Sequence, residues 1–121
     1  MNHTLFESEL KVMEILWAHE PISAKDVTLI ATKGLGWNKN TTYTVLKKLE
    51  NKGYINRAEP GFVCTTLISK ADVRKAETHG LIDKLFSGSK KALFAALIEE
   101  EPLSEDELEA LKALIESKSG S

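Results

Sequence analysis

The spacing of apolar residues changes at Gly53, and this change constrains the fold more than any other feature of the chain. Before Gly53 apolar residues recur at helical spacing, and they do so again after residue 69. Between these stretches, two short β-favouring runs, 54–58 and 62–68, flank the turn sequence Glu59-Pro60-Gly61. The sequence therefore predicts three helices, a β-hairpin and three further helices.

Residues with helix-capping chemistry mark where the predicted helices begin and end. Polar residues that can cap a first turn stand at Thr4, Ser23, Asn38, Ser69 and Ser104. Glu7 and Glu107 follow two of these by three residues, the spacing of a capping box. Residues that stop a helix stand at Pro21, Gly34, Gly53 and Pro102. A mainly α fold with a small hairpin directly after the third helix is the winged version of the helix-turn-helix, and we assign it to residues 1–68.

The third predicted helix, 39–52, has two chemically different faces. Thr42, Val45, Leu46 and Leu49 gather on one side, which we expect to pack on the first two helices. The other side carries Asn, Thr and Lys, which can bind bases and phosphates, and no carboxylate to repel them. With one cation from the hairpin, the candidate DNA-binding residues are Asn38, Asn40, Thr41, Tyr43, Thr44, Lys47, Lys48, Asn51 and Arg57. The alternative is a solvated polar face and a solvated strand arginine.

Charge is distributed unevenly along the chain. The net charge of −2 argues against a polyanionic partner, because nucleic-acid-binding domains are usually basic. Between Lys33 and Arg57, however, six cations face a single acid, Glu50, which gives this window a charge of +5. The segment 99–109 contains seven acids and no base. This asymmetry favours a DNA-binding N-terminal part and a C-terminal part with another task.

The last two predicted helices carry more apolar surface than a short helical hairpin can bury by itself. The residues concerned are Leu93, Leu97, Leu108, Leu111, Leu114 and Ile115. A second copy of the chain in a two-fold arrangement is the simplest cover, so we predict a homodimer with its dimerisation region in 69–121. The alternative is that these helices fold back onto the N-terminal domain.

Enzyme chemistry has little support in the sequence. His3, His19 and His79 are isolated from one another and from Cys64, and no zinc, P-loop or nucleophile motif occurs. We therefore predict no catalytic residue, no metal site and no cofactor. A single cysteine fits a reducing compartment, and no signal peptide or membrane-spanning run is recognisable, so we expect a cytoplasmic protein without membrane insertion.

An ordered set of short motifs resembles the penicillinase repressor (BlaI/MecI/CopY) family of bacterial winged-helix transcriptional regulators. The motifs are LKVMEILW at 10–17, PISAKDV at 21–27, Trp37, Thr41, TVL at 44–46, LENKGYI at 49–55, LFSGS at 85–89 and LSEDEL at 103–108. The likeness extends over about residues 5–116. It implies a homodimeric repressor that binds a palindromic operator in double-stranded DNA and dimerises through its last three helices.

The resemblance also implies a regulatory circuit, in which a membrane sensor protease relieves repression of β-lactam-resistance or related genes. The family's scissile Asn-Phe pair falls at Ala96-Leu97, where this chain has different residues. Asn38-Lys39-Asn40 replaces the family's usual Ser-Pro-Lys, and Tyr43 replaces a frequent basic residue, so we expect a different operator sequence. The cysteine cluster of the copper-responsive branch is missing, because Cys64 is the single cysteine.

Two hypotheses from different classes follow from these observations. The first is a dimeric DNA-binding repressor that uses residues 38–51 and the hairpin to read DNA. The second is a winged-helix protein–protein adaptor, in which the same basic face binds an acidic protein. Sequence-specific DNA binding that weakens steeply with salt separates the first from the second.

Overall fold

Six α-helices and three short β-strands follow one another in the residues that the computed structural model describes, 5–100 and 102–119. In chain order they are α1 (Glu7–His19), β1 (Ile22–Ser23), α2 (Ala24–Leu35), α3 (Lys39–Asn51), β2 (Ile55–Ala58), β3 (Val63–Thr66), α4 (Lys70–Phe86), α5 (Lys90–Glu100) and α6 (Glu105–Ser119). The predicted class, mainly helical with a small β component, is confirmed. No helix in these two ranges is long and apolar enough to cross a lipid bilayer.

Four of the predicted helix starts have the expected caps. At the start of α4, the Ser69 hydroxyl accepts a hydrogen bond from the Asp72 backbone N–H at 3.0 Å. The Ser23 hydroxyl accepts a hydrogen bond from the Asp26 backbone N–H at 3.1 Å, and the Asn38 side chain accepts one from Thr41 at 2.8 Å. Ser104 and Glu107 cap each other's backbone N–H groups, both at 3.1 Å. Each cap satisfies an N–H group that lacks a partner within the helix, and replacing such a residue by Ala costs roughly 1 kcal/mol.

Two helix ends differ from the prediction. The first helix follows Phe6, whose backbone N–H donates to Glu9 Oε1 at 2.8 Å, so Glu9 occupies the position that we assigned to Glu7. The other predicted partner, Thr4, lies outside the described residues. The second helix continues through Gly34 to Leu35 and stops at Gly36, which has a φ of +72°. Only the later glycine has the left-handed conformation that terminates a helix.

The sheet has a strand that the sequence did not reveal. The strand order is β1-β3-β2, with both pairs antiparallel, and β1 pairs Ile22 with Cys64. A segment of two residues is too short for a period-two pattern, and its pairing depends on a partner some forty residues away. The hairpin strands are also shorter than the predicted runs 54–58 and 62–68, since pairing covers Ile55–Ala58 and Val63–Thr66.

The core of the N-terminal unit lies between the first three helices and the sheet. The predicted inner face of α3 is confirmed, because Thr42, Val45, Leu46 and Leu49 are all buried. The other buried apolar residues of this core are Val12, Met13, Leu16, Ile22, Ala24, Val27, Tyr54, Ile55 and Cys64. Burial of a large aliphatic side chain contributes about 1.5–3 kcal/mol, so this core fixes α3 against α1 and α2.

The chain divides into two compact units, of which the first ends at Thr78 and the second begins at His79, inside α4. The first turns of α4 belong to the N-terminal unit, because Val73 is buried there and Lys70 forms an ion pair with Glu14 at 2.9 Å. The Trp17 indole also donates to the Ile68 carbonyl at 3.0 Å. The N-terminal unit therefore extends ten residues past the boundary at residue 68 that we assign between DNA binding and dimerisation.

Candidate nucleic-acid interface and dimerisation surface

The exposed face of α3 brings most of the candidate DNA-binding residues together. Asn40, Thr41, Thr44, Lys47, Lys48 and Asn51 are exposed, and Asn38 is exposed just before the helix. None of the exposed residues of α3 is acidic, since Glu50 is half-buried. The surface that this helix presents therefore consists of amides, hydroxyls and cations, which are the groups that bind phosphate oxygens and base edges.

The N-terminus of α3 has a second feature that favours an anion. The Asn38 side chain caps the Thr41 N–H at 2.8 Å, and the first-turn side chains are exposed. The helix dipole gives this end a partial positive charge, and no acidic residue in the first turn opposes it. The role of Asn38 is thus to shape the helix start, so its side-chain oxygen is occupied before any ligand arrives.

Two residues of the face have internal partners. The Thr44 hydroxyl donates to the Asn40 carbonyl at 2.9 Å, which directs its proton inward and leaves its oxygen lone pairs and methyl group for a ligand. Tyr43 is half-buried and packs against the core, with Lys39 Nζ 5.8 Å from its ring centroid. Tyr43 therefore belongs to the edge of the face rather than to its centre.

Arg57 joins the hairpin to this helix. It lies in β2 opposite Cys64, and its Nε is 3.5 Å from Glu50 Oε2 of α3. Its guanidinium lies 4.2 Å from the centroid of the Phe62 ring. The sequence prediction included Arg57 but not Glu50 or Phe62. The available signal was that Glu50 is the single acid in the basic window.

A second ion pair removes one cation from the basic window. Lys52 Nζ lies 2.8 Å from Glu9 Oε1, and the Glu9 side chain is 1% exposed. The same ammonium lies 4.8 Å from the Phe6 ring centroid. Within residues 5–100 and 102–119, the cations of the window without a carboxylate within 4.0 Å are Lys33, Lys39, Lys47 and Lys48.

Cys64 lies beneath the interface rather than on it. It is 1% exposed, its thiol donates to the Phe62 carbonyl at 3.5 Å, and burial raises the pKa of the thiol. A protonated, buried thiol is a poor nucleophile and a poor metal ligand. In the described part of the chain, no three His, Cys, Asp or Glu residues converge as a metal site would require.

The C-terminal unit has an apolar groove between α5 and α6. Four of the predicted dimerisation residues, Leu108, Leu111, Leu114 and Ile115, line it together. Phe94, Ile98 and Leu103 also line it and were missing from the prediction. Four lysines stand at its edges, namely Lys90, Lys91, Lys112 and Lys118. Among the groove residues Leu114 and Ile115 are 63% and 65% exposed, so the groove is open to solvent in a single chain.

The remaining predicted residues of this unit lie outside the groove lining. Leu93 is half-buried, whereas Leu97 is 58% exposed. Ala96 is half-buried, and the Ala96–Leu97 peptide bond lies in the middle of α5. A peptide bond in a helix has to unfold locally before a protease can bind it in an extended form.

Three helices, a wing and an exposed basic helix without exposed acids define a winged-helix DNA-binding protein. Residues 5–117 match the family model described as penicillinase repressor. The chain belongs to this family, whose members are DNA-binding transcriptional repressors rather than enzymes. The resemblance seen in the sequence motifs is thereby confirmed.

Similar proteins fall in the same family. The penicillinase repressor of Bacillus licheniformis is 28% identical over 112 residues, which cover 91% of this chain and 88% of that protein. The methicillin resistance regulatory protein MecI of Staphylococcus aureus (strain N315) is 26% identical over 119 residues, 97% of each chain.

Two solved structures are similar to part of this chain. The first is the solution structure of the DNA-binding domain of the repressor BlaI, with a TM-score of 0.55 and 31% identity. The second is the monomeric form of Bacillus licheniformis BlaI in complex with the blaP half-operator, with a TM-score of 0.53 and 31% identity. Each match covers 60% of this chain and 90% of the other.

Proposed function

We propose that this repressor acts as a homodimer on a palindromic operator in double-stranded DNA. The observation that carries the proposal is the exposed face of α3, which is polar and cationic, contains no exposed acid and is rigidly supported by a buried opposite face. A solved relative, the monomeric form of BlaI, is in complex with a half-operator, which supports one half-site for each chain here.

The proposed contacts divide into two chemical groups. Asn40, Thr44, Lys47 and Asn51 face bases in the major groove, where Asn pairs with adenine, Lys with guanine and a Thr methyl with thymine. Thr41, Tyr43, Lys48 and Arg57 bind phosphates that fix the register of the helix. Asn38 contributes through the helix N-terminus that it caps.

The dimer is proposed to form through the C-terminal unit, with a second copy covering the α5–α6 groove. The apolar residues of the groove favour an apolar partner surface, and a two-fold axis presents the same surface on both copies. Leu93 and Leu97, outside the groove lining, extend the proposed contact along α5. The symmetry then places two recognition helices about one helical turn of DNA, or a multiple of it, apart.

The proposed targets are β-lactam-resistance or related genes, in keeping with relatives named for penicillinase repression and methicillin resistance. A membrane sensor protease is the proposed partner that relieves repression. Cleavage at Ala96–Leu97 would need local opening of α5 and a protease that accepts Ala and Leu in place of Asn and Phe.

Selection of bound sequences from a random DNA pool identifies the operator and tests the proposal. Thr44→Ala with Lys47→Ala should weaken operator binding about 10- to 100-fold, the size of one or two lost base contacts. Thermal unfolding should stay unchanged, because both side chains are exposed and Ala favours helix. Lys75→Ala is the matched control, since Lys75 is an exposed cation on α4.

The two hypotheses predict different results in this experiment. Specific DNA binding that weakens steeply as salt rises supports the repressor, because phosphate contacts release counterions. A lack of preference for any sequence over random DNA at moderate salt refutes it and favours the adaptor. A fall in the unfolding midpoint of the Thr44/Lys47 variant would show that these residues are structural.

A further inference from the structure

The Arg57 side chain is held from two sides before any DNA is present. Glu50 Oε2 of α3 lies 3.5 Å from its Nε, and the Phe62 ring lies 4.2 Å from its guanidinium carbon. The recorded contact of the ion pair is at Nε, and a guanidinium has two further nitrogens that can donate to a phosphate. A guanidinium is planar, and contacts at one edge and one face define its orientation.

The position of Phe62 is itself fixed by the backbone. Phe62 has a φ of +51°, a left-handed conformation that is uncommon for a residue with a side chain and costs free energy. Its carbonyl accepts a hydrogen bond from the Ala24 N–H, the first residue of α2, at 2.9 Å. This hydrogen bond joins the wing turn to the start of α2. It holds the backbone of Phe62 in place, and the ring contacts the Arg57 guanidinium.

We infer that Glu50 and Phe62 are positioning residues for Arg57, and that Glu50 determines how selectively this arginine binds DNA; the inference rests on the proposed function. At the operator, the terminal nitrogens reach their acceptor while Nε keeps its carboxylate. On random DNA no specific base contacts fix the register, so the phosphate nearest to Arg57 has no fixed position, and Arg57 loses the ion pair with Glu50 when it follows that phosphate. The carboxylate therefore weakens binding to random DNA more than binding to the operator.

The test compares operator and random DNA binding of the full chain with Glu50→Gln, which keeps the side-chain shape and removes the charge. An exposed ion pair changes an equilibrium by up to about fivefold, so we expect the operator-to-random affinity ratio to fall about threefold. Both affinities are measured on one preparation, so any inactive fraction cancels in the ratio. Glu59→Gln is the matched control, because Glu59 is an exposed acid in the wing turn and forms no ion pair with any residue in 5–100 or 102–119.

The outcomes separate positioning from simple repulsion between a carboxylate and DNA. Repulsion alone would raise both affinities equally, in Glu50→Gln as in Glu59→Gln, and an unchanged ratio in Glu50→Gln would overturn the inference. In an Arg57→Met background, Glu50→Gln should leave the ratio unchanged; a threefold fall there would show that the effect does not pass through Arg57. A wild-type chain without operator preference would overturn the proposed function and this inference with it.

Discussion

Leu114 lies on α6, lines the α5–α6 groove and is 63% exposed in the single chain. If a second copy covers the groove, this side chain moves from water into an apolar contact, and Leu114→Ser removes that gain. The change leaves the single chain almost unaffected, because the side chain is already solvated there. We therefore predict that Leu114→Ser weakens dimerisation without loss of helix content.

The magnitude follows from the exposed fraction. Complete burial of a leucine side chain contributes about 1.5–3 kcal/mol, so the exposed two thirds contribute about 1–2 kcal/mol. The substitution occurs in both protomers, which doubles the loss to about 2–4 kcal/mol. Because about 1.4 kcal/mol corresponds to a factor of ten, the dimer dissociation constant should rise by roughly two orders of magnitude.

Sedimentation equilibrium over a range of protein concentrations measures the dimer dissociation constant, since the dimer has twice the chain mass of 13.4 kDa. Leu29→Ser is the matched control, since Leu29 is 59% exposed on α2 of the N-terminal unit. A wild-type monomer at micromolar concentration would refute the proposal that a second copy of the chain covers the α5–α6 groove. An equal loss of affinity in both variants would show that the effect is not specific to the groove.

Two further predictions concern stability. Lys52→Met should lower the free energy of unfolding by about 2 kcal/mol, because it leaves the buried Glu9 carboxylate unpaired while Lys52 itself is 35% exposed. The control Lys48→Met should change it by less than about 0.5 kcal/mol in urea denaturation, because Lys48 forms no ion pair in the described part of the chain. Burial raises the pKa of the Cys64 thiol, so the unfolded chain releases this proton at lower pH than the folded chain. The free energy of unfolding of the wild type therefore falls as pH rises past about 8.5, the ordinary pKa of a cysteine thiol. In Cys64→Ala this free energy should fall less steeply over the same pH range. Identical slopes of unfolding free energy against pH in the two proteins would contradict this reasoning.

The parts of the fold that the sequence predicted correctly are those set by local chemistry. Ser23, Asn38 and Ser104 act as caps because a side-chain oxygen three residues before a free N–H can reach it within a single turn. The inner face of α3 follows from helical periodicity in the same way. Local chemistry does not predict the burial of Glu9, since an acidic residue in an amphipathic helix is expected to be solvated. Its burial depends on the ion pair with Lys52, which is 43 residues away in the sequence.

The residues of the candidate site also differ in whether local chemistry or contacts between distant elements place them. The residues on α3 were predictable because one helix places them on one face, whatever the rest of the chain does. Glu50 and Phe62 were not, because their relation to Arg57 needs the register of the wing and the bond between Phe62 and Ala24. Contacts between elements carry no periodic signal in a single sequence.

The ion pairs change how the basic window should be understood. Its charge of +5 already sets Arg57 against Glu50 but counts Lys52 as a free cation, whereas the structure pairs Lys52 with Glu9, which lies outside the window. Affinity for the DNA backbone then depends on fewer free charges than the sequence indicates, and weak backbone affinity makes binding to random DNA weak as well. A larger share of operator binding must come from the neutral Asn and Thr side chains of α3, which distinguish bases. The paired cations therefore favour selectivity at the expense of total affinity.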